Sequence, residues 1–298
     1  MATPPAMSGR QSNGWQESQR RGLRMLEARV LHGLPWLVHA FSTRPGGQSV
    51  LDGQRVLNLG FTEWDTRARV LVNRRRFLAA ARAADWPLAT LRQIHSDVVH
   101  AVTAAPTETL RGDALVTGTP GLLLGVRTAD CVPILLADTK RRAVAAVHAG
   151  WRGTLQRIAA KTVGQLRMSF GARPADLVAV LGPAIGPCCY EVGPEVVQAF
   201  CAQFASAANW FDEARTGEEP DPLHWLSPAP PGHQPPPKKV RLDLRAANRW
   251  QLEEAGLDPK NIIVNNICTV CRTDLFFSYR EEGAETGRHL AVIGIAGE

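Results

Sequence analysis

The sequence lacks a long, uninterrupted hydrophobic run. Its longest apolar stretch, residues 121–137, is broken by Arg127 and Asp130, whereas a membrane-spanning helix needs roughly 18 to 20 apolar residues. The first thirty residues also lack the hydrophobic segment of a signal peptide, because arginines interrupt them. The sequence therefore predicts neither a membrane protein nor a secreted one, and we expect a cytoplasmic protein.

Cysteine is scarce, with six residues in a chain of 298. That number is too small for the disulfide framework of a secreted domain. In a reducing compartment, each cysteine is instead interpreted as a free thiol, a metal ligand or a nucleophile.

An excess of positive charge is present but unevenly placed. The formal net charge is +6, and half of it falls in residues 1–30, which hold five arginines and two glutamates. No basic stripe interleaved with aromatic residues follows in the rest of the chain. We therefore expect no nucleic-acid partner.

Two segments differ in composition from the rest of the chain. Residues 1–25 are polar and show almost no apolar periodicity, which predicts a disordered tail. Residues 213–239 contain eight of the 21 prolines and predict a long surface loop or insertion. We expect residues 26–298 to form a single domain that includes this insertion.

Short apolar runs alternate with amphipathic segments between and beyond these regions, which predicts a mixed α/β fold. Helical spacing predicts helices over 73–84, 155–167 and 243–255, the last with Asp243 as its N-cap and Gly256 as its stop. Strands are predicted over 97–102, 122–127, 132–136, 143–148, 177–181, 262–266 and 290–295.

Three segments end an apolar run with a residue that can bind a metal. They place His95 in RQIHSD, Cys131 in TADCVP and His148 in VHAGWRG. Histidine and cysteine suit zinc, and three protein ligands leave the fourth tetrahedral position open, as in catalytic sites. The spacing matches no compact zinc motif, so a buried cysteine and two hydrogen-bonded histidines remain the alternative. Glycines 150 and 153 predict a tight turn from strand to helix, with backbone amides available to an anion.

These segments belong to a longer ordered set of motifs that resembles the YfiH family, also called the multicopper polyphenol oxidase or laccase-domain family. The resemblance covers residues from about 38 to 296. The motifs are HAFSTRPGG (39–47), LNLG (57–60), RQIHSDVV (92–99), GDALVT (112–117), TADCVPILLAD (128–138), VHAGWRGT (147–154), LGPAIGPCCYEVGPEV (181–196), ICT (267–269), FFSYREEG (276–283) and GR (287–288).

The resemblance implies a single α/β domain, a layered sandwich with mixed sheets related to the catalytic domain of cytotoxic necrotizing factor. It implies one Zn²⁺ held by His95, Cys131 and His148, with Cu²⁺ as a substitute. The implied activity is phosphorolysis of adenosine, inosine and 5′-methylthioadenosine, with adenosine deamination as a companion reaction. The substrates would then be a purine nucleoside and phosphate.

Deamination needs a carboxylate that moves protons, and phosphorolysis needs cationic groups for phosphate. Asp130 and Asp113 are the nearest candidates for the carboxylate, and each is alternatively a brace for the backbone or for a histidine ligand. The remaining candidates lie in the family motifs, and each has an ion pair or a turn as its structural alternative. They are Arg44, Arg152 and Arg280 for phosphate, and Asn58 and Tyr190 for sugar or base.

Other functions stay open at this point. A multicopper centre needs on the order of ten histidines, and the chain has eight with no His-x-His pair, which disfavours copper-dependent polyphenol oxidation. Cys131 could instead be the nucleophile of an amide hydrolase that edits peptidoglycan precursors, or part of a non-catalytic metal-binding regulator. The sequence does not define the oligomeric state.

The other five cysteines are assigned structural roles. We interpret Cys188 and Cys189 as packing residues and Cys201 as a core residue on a helix. Cys268 and Cys271 form a C-x-x-C, but a structural zinc site of this kind needs a second pair of ligands, and none is predicted.

Overall fold

Strands are the main elements of the computed structural model, which describes residues 14–213 and 240–297. The strands are β1 (Trp15–Arg20), β2 (Leu23–Ala28), β3 (Leu37–Ser42), β4 (Pro45–Leu51), β5 (Gln54–Val56), β6 (Leu88–Ala89), β7 (Val99–Ala101), β8 (Ala114–Thr117), β9 (Leu123–Thr128), β10 (Val132–Asp138), β11 (Val144–Ala149), β12 (Leu177–Leu181), β13 (Glu191–Val192), β14 (Phe211–Glu213), β15 (Val240–Leu242), β16 (Ile262–Val264) and β17 (His289–Ile295).

The helices are short and lie between the strands. They are α1 (Arg67–Ala80), α2 (Trp151–Leu155), α3 (Ile158–Phe170), α4 (Pro194–Gln203), α5 (Leu244–Glu254) and α6 (Tyr279–Glu282). Short 3-10 turns cover Arg29–Gly33, Pro174–Asp176, Ala207–Trp210, Pro259–Asn261 and Gly283–Glu285. None of the described helices is both long and apolar enough to cross a membrane.

Two six-stranded sheets form the centre of the fold. The first has the order β1-β2-β3-β17-β9-β6 and the second the order β16-β12-β10-β11-β8-β7. Most neighbours are antiparallel, but β6 with β9, β7 with β8 and β12 with β16 are parallel. The prediction of mixed sheets is therefore confirmed.

The two sheets pack face to face, with helices on both outer surfaces. Successive side chains of a strand point to opposite faces, and on β10 Leu135 and Ala137 pack in the core between the sheets. Ile134 and Leu136 pack in a second core with α3, α4 and α5. A third core lies between the outer face of the first sheet and α1. The predicted layered α/β sandwich is confirmed, with helices, sheet, sheet and helices in succession.

Every predicted strand corresponds to an observed one within two residues at each end. The helices agree less well, because both ends of α1 and α3 differ from the predicted ends by three to six residues. Asp243 caps α5 as predicted, since its carboxylate accepts hydrogen bonds from the amides of residues 245 and 246 at 3.0 Å. Helix α1 starts six residues before the prediction because Thr66 caps it. Helix α3 starts three residues after the prediction, because Arg157 has the left-handed conformation and separates it from α2.

The prediction that residues 1–25 form a disordered tail is wrong from residue 14 onward, where β1 and β2 form a hairpin. Trp15 and Leu23 are buried in it, and Arg20 pairs with Glu27 at 2.7 Å. The polar sequence concealed these strands because β1 lies at the edge of its sheet and exposes most of its side chains. The first thirteen residues lie outside the described part.

The predicted proline-rich insertion lies outside the described residues, except for its first residue at the end of β14. The strands that flank the insertion are neighbours, because β14 and β15 pair in antiparallel register with residue 213 opposite residue 240. With β13, these strands form a small three-stranded sheet in the order β13-β15-β14.

Candidate metal centre

His95, Cys131 and His148 come together at one edge of the second sheet. Cys131 directly precedes β10, whose first residue pairs with Ala149 of β11, so it lies beside His148. His95 belongs to the connection from β6 to β7, which joins the two sheets. The ligand atoms of the three residues all lie within 4.8 Å of one another, and the two imidazole rings are 5.0 Å apart.

Asp113 holds both histidines in place through hydrogen bonds. Its buried carboxylate accepts a hydrogen bond from Nδ1 of His148 at 2.8 Å and from the backbone amide of His95 at 3.0 Å. The other carboxylate oxygen accepts from the amide and hydroxyl of Ser96 at 2.6 and 2.7 Å. Because Nδ1 of His148 donates to Asp113, its Nε2 is the nitrogen available to a metal. Of the two readings left open for Asp113, these contacts are those of a brace.

The backbone at the cluster allows close approach. His95 and Asp130 have positive φ angles of 57° and 93°, a conformation that is costly for residues with a side chain and recurs at functional sites. A Cβ atom on Gly150 would lie 2.9 Å from Sγ of Cys131 and 3.0 Å from Cδ2 of His95. Glycine at this position therefore gives the ligands their room.

The charges of the cluster favour a thiolate. Burial raises the pKa of the Cys131 thiol, but His148 and His95 outweigh burial and lower the pKa to about 6. Burial likewise opposes the charged form of His148, yet Cys131 and Asp113 raise its pKa to about 9. A thiolate is the form of cysteine that binds metals and attacks electrophiles. Cys131 can therefore act either as a metal ligand or as a nucleophile.

Asp130 lies next to this cluster and ties three segments together. One carboxylate oxygen accepts a hydrogen bond from the hydroxyl of Thr269 at 2.6 Å, and the other accepts from the amide of Arg280 at 2.7 Å. Its backbone carbonyl accepts from the amide of Ile185 at 2.8 Å. Its assignment as a catalytic residue stays a prediction.

Tyr190 interacts electrostatically with Cys131, Arg280 and Arg152. Burial and the charge of Cys131 raise the pKa of Tyr190, while Arg280 and Arg152 act in the opposite direction. The guanidinium of Arg280 is 5.1 Å from the centre of the Tyr190 ring and donates to the carbonyl of residue 191 at 2.8 Å. The guanidinium of Arg152 stacks on Trp151 at 4.4 Å. These three predicted substrate-binding residues therefore share one environment.

Arg44 and Asn58 hold surrounding loops in place. Arg44 is buried, forms an ion pair with Glu282 and lies over the ring of Phe277. Asn58 is fully buried, donates to Asp65 at 2.9 Å and accepts from the amide of residue 288 at 3.0 Å. These contacts fit the structural alternative stated for both residues, and their role in substrate binding stays a prediction.

Sequence reasoning missed Arg288, although it lies in the GR motif. This partly buried arginine interacts electrostatically with Asp130 and Cys131 and lies 5.6 Å from the ring of Tyr279. Burial and the positive charge of Arg288 lower the pKa of Arg127. Among the described residues, Nε of Arg127 is buried without a hydrogen-bond partner. Arg288 thus places a positive charge near Cys131, and Arg127 places a second one near Arg288.

The statement that the C-x-x-C lacks a second pair of ligands is wrong. Cys188 and Cys189 lie beside Cys268 and Cys271, and the four sulfur atoms are all within 4.8 Å of one another. The pairing was invisible in the sequence because the two pairs are about 80 residues apart. Cys201, predicted to be a core residue, is exposed on α4, since only Val196 and Phe200 of that helix are buried.

The fold and the cluster define a class of protein: a layered α/β sandwich with three metal-type ligands at a sheet edge. The family model described as multi-copper polyphenol oxidoreductase laccase matches residues 38–296, and the chain belongs to this family. The resemblance expected from the motifs is thereby confirmed.

Relatives and solved structures agree with this assignment. The chain is 41% identical over 258 residues to a purine nucleoside phosphorylase of Deinococcus radiodurans, covering 86% of this chain and 88% of the relative. It is 40% identical over 177 residues, 59% of each chain, to adenosine deaminase RL5 of an unknown prokaryotic organism. The crystal structure of the Bacillus licheniformis hypothetical protein YfiH is similar with a TM-score of 0.77 and 31% identity, over 91% of this chain and 96% of that one.

Proposed function

We propose that this protein is a zinc-dependent purine nucleoside phosphorylase that also deaminates adenosine. The observation that supports the proposal most directly is the convergence of His95, Cys131 and His148. The partly buried Arg288 interacts electrostatically with Cys131, and the exposed Arg152 and Arg280 interact with the neighbouring Tyr190. The names of the relatives from Deinococcus radiodurans and the unknown prokaryote agree with the two reactions.

The donor set fits a single zinc ion. One thiolate and two imidazole nitrogens within 4.8 Å of one another are ligands that zinc prefers, and they leave one coordination position open. The carboxylate of Asp113 on Nδ1 of His148 is the outer partner that zinc-binding histidines usually have. When bound, the ion would supply Lewis acidity for deamination. Copper also accepts histidine and cysteine, so metal identity is part of the test.

In phosphorolysis, a phosphate oxygen forms a bond to C1′ of the ribose while the bond from C1′ to N9 of the purine breaks. The electron pair goes to the purine, which takes up a proton, and ribose 1-phosphate is the second product. We assign the binding of phosphate to Arg152, Arg280 and Arg288, because planar guanidinium groups match the oxygens of phosphate. Their fixed positive charge also stabilises the negative charge of the attacking phosphate oxygens.

Tyr190 is assigned to the nucleoside. Burial and the nearby Cys131 keep its hydroxyl protonated through their effect on its pKa, so it can donate a hydrogen bond to the sugar or the base. In deamination, water adds to C6 of adenosine and ammonia leaves. We assign the proton transfer to Asp130, because Asp113 is occupied by the two histidines; Asp130 would first release Thr269 or the amide of Arg280.

The test is to incubate the purified full-length protein with adenosine, inosine and 5′-methylthioadenosine, with and without phosphate, and to separate the products by chromatography. We expect release of the free base only when phosphate is present, with ribose 1-phosphate formed from adenosine and inosine and 5-methylthioribose 1-phosphate formed from 5′-methylthioadenosine. Adenosine without phosphate should give inosine. Absence of phosphate-dependent base release would contradict the proposal.

A second candidate function is supported by the hydrogen-bond chain itself. Cys131, His148 and Asp113 have the arrangement of nucleophile, base and orienting carboxylate, with 2.8 Å from Nδ1 of His148 to Asp113. Such a triad would hydrolyse an amide in a peptidoglycan precursor. Removing metal with a chelator distinguishes the two functions, because it should abolish nucleoside turnover but leave the thiolate of a cysteine hydrolase free to attack.

A further inference from the structure

A second group of metal-type ligands lies apart from the His95, Cys131 and His148 cluster. Cys188 and Cys189 lie in the connection that follows β12, and Cys268 and Cys271 lie in the connection that follows β16. Strands β12 and β16 are parallel neighbours, so their carboxyl ends meet at one edge of the sheet. A backbone bridge between Ala184 and Cys268 continues this pairing beyond the strands.

The sulfur atoms are close enough to share one ion. Sγ of Cys271 lies 3.6 Å from Sγ of Cys188 and 3.4 Å from Sγ of Cys189, and all four are within 4.8 Å. Zinc–sulfur bonds of about 2.3 Å at tetrahedral angles place sulfur atoms about 3.8 Å apart. A cluster of several irons distributes its cysteines over different iron atoms and needs a wider group. The spacing therefore fits a single ion.

Donors around the sulfurs are placed as they are around metal-bound thiolates. The backbone amide of Gly186 donates to Sγ of Cys268 at 3.2 Å, and the amide of Cys271 donates to the same sulfur. The buried guanidinium of Arg245 lies beside the group, because a Cβ atom on Gly186 would be 2.9 Å from Nη2 of Arg245 and 3.1 Å from Sγ of Cys188. Amide donors and a nearby cation stabilise the negative charge of four thiolates around one divalent ion.

We propose that Cys188, Cys189, Cys268 and Cys271 bind a second, structural zinc ion. Four thiolates complete a tetrahedron and leave no open position, which is the arrangement of a structural site. The site would fasten the connection after β12 to the connection after β16. Zinc binding by these four cysteines does not depend on the proposed enzymatic function.

The position of this site gives it a consequence for the first cluster. Tyr190 directly follows Cys189, and Thr269 directly follows Cys268 and donates to the carboxylate of Asp130. An ion held by these cysteines would therefore fix the positions of the segments that contain Tyr190 and Thr269. Its loss should make these two segments more mobile without removing a ligand of the first cluster.

The test is the zinc content of full-length protein purified under reducing conditions without chelators, measured by elemental mass spectrometry. We expect two zinc ions per chain in the natural protein and one in the double variant Cys188→Ser/Cys271→Ser. The matched control Cys201→Ser changes an exposed cysteine outside the group and should keep two. Cys131→Ser should keep the ion of the four-cysteine site.

A measurement on the natural protein covers the case in which the double variant does not fold. Zinc X-ray absorption should show five zinc–sulfur bonds for two ions. One bond is to Cys131 at the first site, and four are to the cysteines of the second site. A single zinc with one sulfur ligand, unchanged in Cys188→Ser/Cys271→Ser, would overturn the proposal. Iron in place of zinc at the four cysteines, or a disulfide among them in the reduced protein, would overturn it as well.

Discussion

The two ligand groups of this protein differ in how they are assembled and in what they leave open. His95, Cys131 and His148 come from three separate segments and share a buried carboxylate, Asp113. The four-cysteine group uses two connections and sulfur alone. Three mixed ligands leave a coordination position for chemistry, whereas four thiolates close the shell. If both groups bind zinc as proposed, the number and kind of ligands distinguish a reactive site from a structural site in the same fold.

The two groups are nevertheless connected. Thr269 follows a cysteine of the second group and donates to Asp130, which precedes Cys131. Arg280 donates through its amide to the same carboxylate and lies over Tyr190. Substitutions can therefore perturb each group separately, or the contact with Asp130 that links them.

The largest effect is expected from Cys131→Ala. Loss of a ligand and its charge should reduce zinc binding at the first site by more than the roughly 10- to 100-fold typical of losing an outer partner. Nucleoside turnover should fall with it. The measurements are metal titration and kcat/KM, with Cys201→Ala as the matched control. Full turnover in Cys131→Ala would show that the first group is not the reactive one.

Many strands and helices of the fold can be predicted from the sequence, because the patterns that indicate them lie within a few neighbouring residues. The apolar runs of β9 to β12 and the cap at Asp243 depend on neighbours within a few residues. The hairpin β1–β2 could not be found in this way, since most side chains of β1 are exposed and Leu23 and Met25 are buried by packing with distant residues such as Phe77 of α1.

The candidate metal sites could be predicted from the sequence only in part, because they also depend on contacts between distant residues. Motif resemblance indicated the candidate ligands His95, Cys131 and His148, which the structure brings together. The bracing role of Asp113 depends on the register of β8 beside β11, and the four-cysteine group depends on the parallel pairing of β12 with β16. Such contacts join residues tens of positions apart, and no periodicity in one sequence records them.

A smaller effect is expected from Asp113→Asn. Asparagine keeps the shape but cannot accept from both His148 and the amides of residues 94–96 as an anion does, so the histidines lose their common brace. Zinc affinity at the first site should fall about 10- to 100-fold, with zinc at the four cysteines retained. Competition with a chromogenic chelator measures it, with the surface change Asp258→Asn as the control. Equal loss at both sites would indicate general unfolding instead.

Gly150→Ala tests the space between the ligands. The added methyl group would lie 2.9 Å from Sγ of Cys131, so the cluster must shift. We expect a loss of about 1–3 kcal/mol in the free energy of unfolding, the usual cost of overpacking, together with weaker zinc binding. Urea denaturation measures the stability.

Gly164→Ala is the matched control for this change. Gly164 lies within α3, and an added methyl group there meets no neighbour within 4 Å. Alanine should stabilise the helix by about 0.5–1 kcal/mol. If both alanine variants shift stability in the same direction, the tight approach at Gly150 does not constrain the cluster.

The smallest expected effect concerns the link, and Thr269→Val removes it with little change in shape. Valine cannot donate to the carboxylate of Asp130, where the hydroxyl now lies at 2.6 Å. The free energy of unfolding should fall by about 1 kcal/mol, the usual net value of a hydrogen bond. Both zinc ions should remain, because no ligand changes, whereas kcat/KM should fall as Asp130 loses its fixed orientation. Thr273→Val makes the same substitution in the same connection and serves as the control. If Thr269→Val lowers stability but leaves kcat/KM equal to that of the control, the two ligand groups are neighbours that act independently, and the connection through Asp130 has no part in turnover.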